Sequence, residues 1–418
     1  MAIKYNIYTG FLILLSAINL SLLYSGFNLT DELAAVFVLL NLVLLSQMII
    51  MLPFEQFIFC LTRDFQELED RATFFSIVFY CSVIISFFAF GCFLLLSGLF
   101  IETVVPSLQG KDLVDSMTFF ALGTVACTAC PLLVIQQYLN AQYRIGFSYA
   151  LNAIPLVCLF GYLLQGFFSK LSLNGYFLAI GAGNMIALSF GTALVWSSLR
   201  KPHLSYYPFM IRMMRESLFI KAAHNLHNGA LLLSMNYWSE LMTASVIGVF
   251  FGIKRLADAL QQVVNIPLTK TLPKVYSDSH WRENSGEVRK IIWDSAKNSF
   301  VFFMLVLAIL ILILIFSSME SRYLADTNDG VVEIMLFGFT AYAILVCWDL
   351  PNAMVILRTG NSLSFYISNI GFSLAMLAGY LYGAMLNPLY SFFVALIAGQ
   401  IFLFLVNRSF AQKDLRAW

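Results

Sequence analysis

The sequence predicts an all-α, polytopic membrane protein with twelve transmembrane helices. Of its 418 residues, 60% are hydrophobic and only 11% are charged, and the mean hydropathy is +0.82. A soluble globular domain is excluded by this composition. The apolar runs are continuous over about 20 residues and do not alternate with polar ones, so they favour helices over the strands of a barrel.

Twelve apolar segments follow one another along the chain, and each is predicted to cross the membrane once. Their centres lie near Leu15, Val43, Ile84, Ala126, Leu156, Ile186, Leu231, Asp258, Leu307, Ala341, Leu374 and Val394. We therefore predict an N-terminal six-helix lobe over residues 1–200, a cytoplasmic linker over 201–216 and a C-terminal six-helix lobe over 217–418.

The charges of the loops predict the orientation of these segments. The N-terminus, the loops after even-numbered segments and the C-terminus together carry 18 of the 24 lysines and arginines, whereas the other loops carry 3. By the positive-inside rule, both termini are cytoplasmic. The first apolar run lacks a small-residue cleavage site, so it is interpreted as the first membrane span and not as a signal peptide.

Weak internal repeats relate the two halves. Three pairs align at one offset: Gln47 with Gln261, Pro53 with Pro267, and Asp64 with Asp278. Six spans per half give both halves the same orientation, which is a parallel repeat about an axis along the membrane normal. Such repeats are typical of transporters.

Two adjacent cations, Lys254 and Arg255, are the strongest functional signal. They lie midway along the apolar residues 243–270, where an unpaired charge costs several kcal/mol and usually serves transport. Asp258 follows at a spacing that allows a pair with either cation, and Gln262 continues the same helix face. An internal salt bridge that only joins helices is the structural alternative. Because one carboxylate cannot neutralise two cations, a polar substrate cavity is the better interpretation.

The preceding segment adds Lys221, His224 and His227 at helical spacing. Lys221 lies near the inner end, so its ammonium could instead extend to the headgroups. Asp349 lies beside the helix-breaking Pro351, and Glu55 follows Pro53. The sum of Lys221, Lys254 and Arg255 against Asp258 and Asp349, with two histidines able to add charge, predicts a neutral to positive cavity. Such a cavity suits an anion such as a phosphate or pyrophosphate, which arginine binds in a bidentate manner.

Motifs for other chemistry are missing from the sequence. Cys127 and Cys130 form a C-x-x-C without histidine or a second pair, so we expect a packing role, no metal site and no cofactor. There is no P-loop, H-E-x-x-H or G-x-S-x-G motif. We therefore expect neither an enzyme nor a nucleic-acid-binding protein.

Several motifs resemble the multidrug/oligosaccharidyl-lipid/polysaccharide exporter (MOP) superfamily, and specifically its bacterial Wzx-type polysaccharide flippases. The stretch G-V-F-F-G-I-K-R at 248–255, followed by L-P-K-V-Y at 272–276, is similar to the family's eighth helix and its closing proline. F-E-Q at 54–56 with L-T-R at 61–63 resembles the end of its second helix, and Y-L-N-A-Q-Y-R at 138–144 resembles the exit of its fourth.

The resemblance implies two six-helix lobes in a MATE-like arrangement around a central cavity that opens alternately to each side. It implies an O-antigen-type flippase in the bacterial cytoplasmic (inner) membrane, which moves an undecaprenyl-diphosphate-linked oligosaccharide to the periplasmic leaflet. Membrane lipids and the polysaccharide polymerase machinery are the expected partners. Arg255 and Lys254 would bind the diphosphate, with Lys221, His224, His227 and Gln262 in support, while Asp258, Asp349 and Glu55 would tune those charges or couple an ion.

Two rival functions remain. An ion-coupled multidrug or cation antiporter of the same superfamily would depend on Asp258 and Asp349 and not on the cations. A membrane-bound glycan polymerase or ligase would need large extracytoplasmic loops, and the predicted outer loops hold only about a dozen residues at most.

Overall fold

The computed structural model describes most of the chain and is entirely helical there. The described residues are 2–27, 31–65, 67–104, 116–240, 250–255, 257, 258, 261, 290, 293, 294, 297, 301, 304, 331–359, 362–383 and 388–416. Within these ranges every regular element is an α-helix or a 3₁₀ turn. The all-α prediction is therefore confirmed.

Eleven α-helices can be bounded within the described ranges. They are α1 (Ala2–Phe27), α2 (Asp31–Met51), α3 (Phe57–Asp64), α4 (Leu68–Val104), α5 (Ser116–Ala141), α6 (Ile145–Gln165), α7 (Leu173–Val195), α8 (Tyr207–Glu240), α9 (Val331–Thr359), α10 (Ser362–Gly383) and α11 (Pro388–Arg416). Short 3₁₀ turns occupy Leu52–Phe54, Trp196–Ser198 and Leu204–Tyr206. Residues 250–255 are also helical.

Eight helices in the described part of the chain are long and apolar enough to cross a membrane, judged by length and composition. They coincide with the first six predicted spans and with the tenth and twelfth. A shorter apolar helix, Tyr366–Gly379, falls on the eleventh. The predicted eighth and ninth spans lie largely outside the described residues. Large apolar side chains face outward from these helices, among them Phe87 and Leu95, which are 74% and 86% exposed, as a lipid-facing surface requires.

The chain divides into two compact units. The N-terminal unit comprises Leu14–Ala222, and the C-terminal unit comprises most of the chain from Ala223 onward together with Met1–Ile13. In the N-terminal unit, α5 is central, because it packs against α2, α4, α6 and α7. In agreement, 72% of the residues in its membrane-spanning stretch are buried, whereas the corresponding share is 28% in α4, α6 and α7.

Polar contacts at the two ends of the N-terminal unit separate its loops into two groups. At one end, the Lys170 ammonium lies 3.6 Å from the Glu32 carboxylate. At the other end, the backbone N–H of Arg200 donates to Ser76 Oγ at 2.8 Å, and the Tyr206 hydroxyl donates to Asp70 at 2.5 Å. The first group consists of loops predicted to be periplasmic, and the second of loops predicted to be cytoplasmic.

The C-terminal unit is organised around α11, which packs against both α9 and α10. Aromatic rings fill the space between α9 and α11, where Phe339 lies 4.9 Å from Phe393, centroid to centroid. This packing holds the polar side chains described below in fixed positions.

The segment 201–216, which was predicted to be a cytoplasmic linker, contains the start of α8. This helix begins at Tyr207 and continues to Glu240. Pro208 is favourable in a first helical turn, and the methionine, arginine and glutamate residues that follow it are strong helix formers. The two compact units divide within this helix, between Ala222 and Ala223.

Candidate substrate and ion site

The candidate site begins with residues 250–255, which are anchored in the C-terminal unit by an aromatic side chain. Phe250 is 1% exposed, and its ring lies 5.1 Å from that of Phe339 on α9 and 5.5 Å from that of Phe392 on α11. Lys254 and Arg255 follow about one helical turn later. The packing of Phe250 therefore fixes the backbone that carries both cations.

Lys254 forms an ion pair with Asp258 at 2.5 Å, with the two residues one turn apart. The lysine side chain is 12% exposed and the aspartate side chain 40%, so the pair lies at the edge of the packed interior. This confirms that Asp258 pairs with one of the cations. Arg255 is half-buried and has polar interactions of its own. Two cations and one carboxylate leave this short segment with positive charge.

His227 is buried between α9 and α10, where it contacts Tyr342, a residue that was not among the predicted site residues. The His227 ring stacks on Phe372 of α10 at 3.6 Å, and its Nε2 lies 3.4 Å from the Tyr342 hydroxyl on α9. His227 and Tyr342 therefore form one buried polar contact between α8 and α9, and Lys254 and Asp258 form a separate ion pair.

Asp349 lies on α9, seven residues after Tyr342 and hence two turns along the same helix face. The residue is 5% exposed, and Asn407 Nδ2 of α11 donates a hydrogen bond to its Oδ2 at 2.7 Å. Its Oδ1 has no hydrogen-bond partner among the described residues. A buried carboxylate with one oxygen left over can accept a proton or contribute to cation binding.

Further amides are buried on the two helices that carry Asp349 and Asn407. Asn352, one turn along α9, is 6% exposed, and Gln400 and Asn407, two turns apart on α11, are each 2% exposed. The Gln400 Oε1 and Asn407 Oδ1 atoms lack hydrogen-bond partners within the described structure. Gln400, Asn407 and Tyr342 were not among the site residues predicted from the sequence. Each is a polar residue within an apolar span, which is the pattern that could have indicated them.

The side chains of the other predicted site residues lie outside the described structure or in the N-terminal unit. Lys221 and His224 lie on α8, but their side chains are outside the described part of the structure, as is the whole of Gln262. Glu55 follows the 3₁₀ turn Leu52–Phe54 and belongs to the N-terminal unit. Its neighbour Gln56 is buried, and the Gln56 backbone N–H donates to Ser217 Oγ at 3.1 Å.

Metal-binding geometry is not found in the described residues, where no three His, Cys, Asp or Glu side chains lie together. All seven cysteines are free thiols, and Cys127 and Cys130 are buried within α5. Their burial among apolar neighbours agrees with a packing role.

Comparison with known proteins defines the fold. No family model matches the sequence, and no curated protein matches it. Solved structures do match, and they show the fold: the chain folds like the MATE transporters of the MOP superfamily.

Three of these structures match over almost their whole length. The eukaryotic MATE transporter AtDTX14 has a TM-score of 0.67 and 13% identity, covering 100% of this chain and 98% of that one. An outward-facing multidrug resistance MATE transporter has a TM-score of 0.57 and 12% identity, with 99% and 96% covered. An inward-facing one has a TM-score of 0.57 and 11% identity, with 100% and 95% covered.

Proposed function

We propose that this chain is an alternating-access transporter that moves an undecaprenyl-diphosphate-linked oligosaccharide from the cytoplasmic to the periplasmic leaflet of the bacterial inner membrane. The whole-length transporter fold and the membrane-spanning helices support the general activity. Likeness to both an inward-facing and an outward-facing MATE structure supports alternating access.

The pair of cations on residues 250–255 carries the proposal for the substrate. The Lys254 side chain is 12% exposed and Arg255 is half-buried, and the sequence of residues 250–258 contains two cations and one carboxylate, Asp258. A diphosphate supplies the negative charge that such a segment attracts, and a guanidinium can bind two of its oxygens at once. An organic cation would be repelled by the same pair.

The remaining residues have supporting roles in this proposal. Lys221, His224, His227 and Gln262 would add donors for the diphosphate and the sugar. Asp258 would hold Lys254 in place until the substrate competes for the ammonium. Asp349 and Glu55 would couple an ion, and membrane lipids and the polysaccharide polymerase machinery would be the partners. The resemblance to Wzx-type flippases supplies the undecaprenyl tail, which the described residues do not specify.

A second candidate is an ion-coupled antiporter of multidrug type. The solved relatives include proteins named as multidrug resistance transporters. The specific observation in its favour is Asp349, a buried carboxylate with one oxygen unpartnered among the described residues. In this function, Asp349 and Asp258 would be essential and Arg255 would be dispensable.

The first experiment deletes the gene in its native host and measures the pool of lipid-linked glycans. Accumulation of one undecaprenyl-diphosphate oligosaccharide on the cytoplasmic face is expected for the flippase. An unchanged pool, with increased retention of cationic dyes, would instead identify the antiporter.

Complementation by single variants then separates the roles of the residues. Arg255→Gln is expected to restore export at least about tenfold less well than the parent, the effect of losing a charge-assisted contact. Arg212→Gln is the matched control, because it removes one exposed arginine that pairs with Glu216 on α8. Full complementation by Arg255→Gln together with failure of Asp349→Asn would reject the flippase in favour of the antiporter.

A further inference from the structure

A shallow groove runs along an exposed face of α7 toward the end predicted to be cytoplasmic. It has a volume of about 580 Å³ and is lined by Leu188, Ser189, Thr192, Ala193 and Trp196. The Ser189 hydroxyl is occupied by a hydrogen bond to Met185 O at 2.9 Å. The groove therefore presents mainly methyl and ring surface to its surroundings.

Trp196 closes this groove at the 3₁₀ turn that follows α7, and its side chain is 71% exposed. An exposed tryptophan at the end of an apolar helix is favoured at the level of the lipid headgroups. The groove thus extends from the headgroup level into the hydrocarbon region, along the path of an acyl chain.

Two arginines lie beside the headgroup end of the groove. Arg200 donates from Nη1 to Ser197 O at 2.9 Å, and Arg144 donates from Nη1 to Leu194 O at 3.4 Å. Both acceptor residues adjoin groove residues in the sequence. The Arg144 guanidinium is also held 4.8 Å above the ring of Phe147. Because a guanidinium has five N–H donors, each arginine has donors to spare.

The local charge is positive around these two arginines. A third arginine, Arg71, lies at the same end of the unit, five residues before Ser76 on α4, whose Oγ accepts a hydrogen bond from the Arg200 backbone N–H. None of them forms an ion pair with a carboxylate among the described residues. Asp70, which precedes Arg71 in the sequence, instead accepts a hydrogen bond from the Tyr206 hydroxyl.

We propose that this groove is a binding site for an anionic phospholipid of the cytoplasmic leaflet. One acyl chain lies along α7, the Trp196 indole lies at the headgroup level, and Arg200 and Arg144 bind the phosphate. Basic pockets beside transmembrane helices bind anionic headgroups in this way. The site lies wholly within the N-terminal unit and does not depend on the proposed transport function, since the lipid is resident and not carried.

The test is native mass spectrometry of the full-length protein released from nanodiscs. Discs of phosphatidylcholine containing phosphatidylglycerol are expected to leave a phosphatidylglycerol adduct, whereas discs of phosphatidylcholine alone leave none. Arg200→Gln and Arg144→Gln should each reduce the adduct about tenfold, the effect of losing one charge-assisted contact. Lys201→Gln is the matched control, because it removes the neighbouring exposed cation and should leave the adduct unchanged.

Ala193→Trp provides an independent variant, because it fills the groove at an exposed position without changing a charge. Loss of the adduct in this variant supports the acyl-chain half of the site. The proposal is overturned if the adduct survives Arg200→Gln and Ala193→Trp, or if Lys201→Gln weakens it equally. Displacement of the adduct by millimolar inorganic phosphate would also overturn it, since the site would then take a free anion and not a lipid.

Discussion

Lys254 and Asp258 hold opposite charges within an apolar stretch by pairing across one helical turn. The lysine is almost buried while the aspartate remains 40% exposed, so solvent still screens part of their attraction. The pair therefore contributes less to the free energy of unfolding than a fully buried one. Removing only one partner is costly, because a charge near the membrane interior is then left uncompensated.

The single variant Asp258→Asn is expected to lower the thermal unfolding midpoint in detergent, since it leaves the Lys254 ammonium without its carboxylate. The double variant Lys254→Met/Asp258→Asn should recover most of that loss, because no isolated charge remains. The measurement is a double-mutant cycle of unfolding midpoints, with Arg212→Gln as the surface control. Equal midpoints for the parent and Asp258→Asn would contradict a stabilising role for the pair.

Transport by the same double variant distinguishes a structural pair from a substrate ligand. If Lys254 binds the diphosphate, the double variant folds but exports poorly. Normal export by a stable double variant would restrict Lys254 to a structural role and leave the substrate to Arg255.

Helices α6 and α7 form a hairpin whose close approach depends on a glycine. A Cβ atom added to Gly183 of α7 would lie 2.6 Å from the Cα of Pro155 on α6. Because that neighbour is a backbone atom, it cannot move away as a flexible side chain could. Small residues at such crossings allow the dispersion contacts that join helices in lipid.

Gly183→Ala is therefore expected to destabilise the protein by about 1–3 kcal/mol, the typical cost of overpacking. Gly161→Ala on the partner helix is the matched control, since an added Cβ there meets no atom within 4 Å. The control should be neutral or slightly stabilising, because alanine is a better helix former than glycine. Comparing unfolding midpoints of the two variants tests the difference; a similar loss in both would indicate a propensity effect only.

The turn before α8 is attached to the start of α4 by the hydrogen bond from Tyr206 to Asp70. The carboxylate as acceptor, together with partial burial and nearby acidic groups, raises the pKa of Tyr206 to about 12. A phenol with a raised pKa stabilises the fold fully below its unfolded value of about 10. That contribution is lost as the pH rises from about 10 to about 12.

Ultraviolet titration of phenolate absorbance can detect this hydrogen bond. Subtracting the Tyr206→Phe curve from the parent curve should isolate one phenol that titrates near pH 12. Asp70→Asn should move that titration down toward pH 10, because the negative acceptor is removed. A difference curve centred near pH 10 in the parent would show that the bond does not persist in solution.

On the scale of the whole molecule, the uneven distribution of lysine and arginine predicts the orientation in the membrane. Within the N-terminal unit, the two groups of loops with different charge lie at opposite ends, as alternate crossing requires.

We expect a fluorescent protein fused after Trp418 to be bright, because its chromophore matures in the cytoplasm. Alkaline phosphatase inserted after Lys170 should be active, since that loop is predicted to be periplasmic. A dark fluorescent protein together with an inactive phosphatase would contradict the predicted orientation.

The all-α class, the predicted orientation and the cation pair can all be read from residue order. Lipid requires each spanning segment to satisfy its own backbone hydrogen bonds, so a local run of apolar residues is sufficient to specify a helix. The meeting of Asn407 with Asp349, 58 positions apart, and of His227 with Tyr342, 115 positions apart, follows only from folding. In a membrane, the lipid-facing and core-facing sides of a helix are both apolar, so hydrophobic periodicity does not reveal which helices pack together. Close packing of the folded chain decides which helices meet. It places the Asn407 amide against Asp349 and the Phe372 ring against His227, and no local sequence pattern predicts either contact.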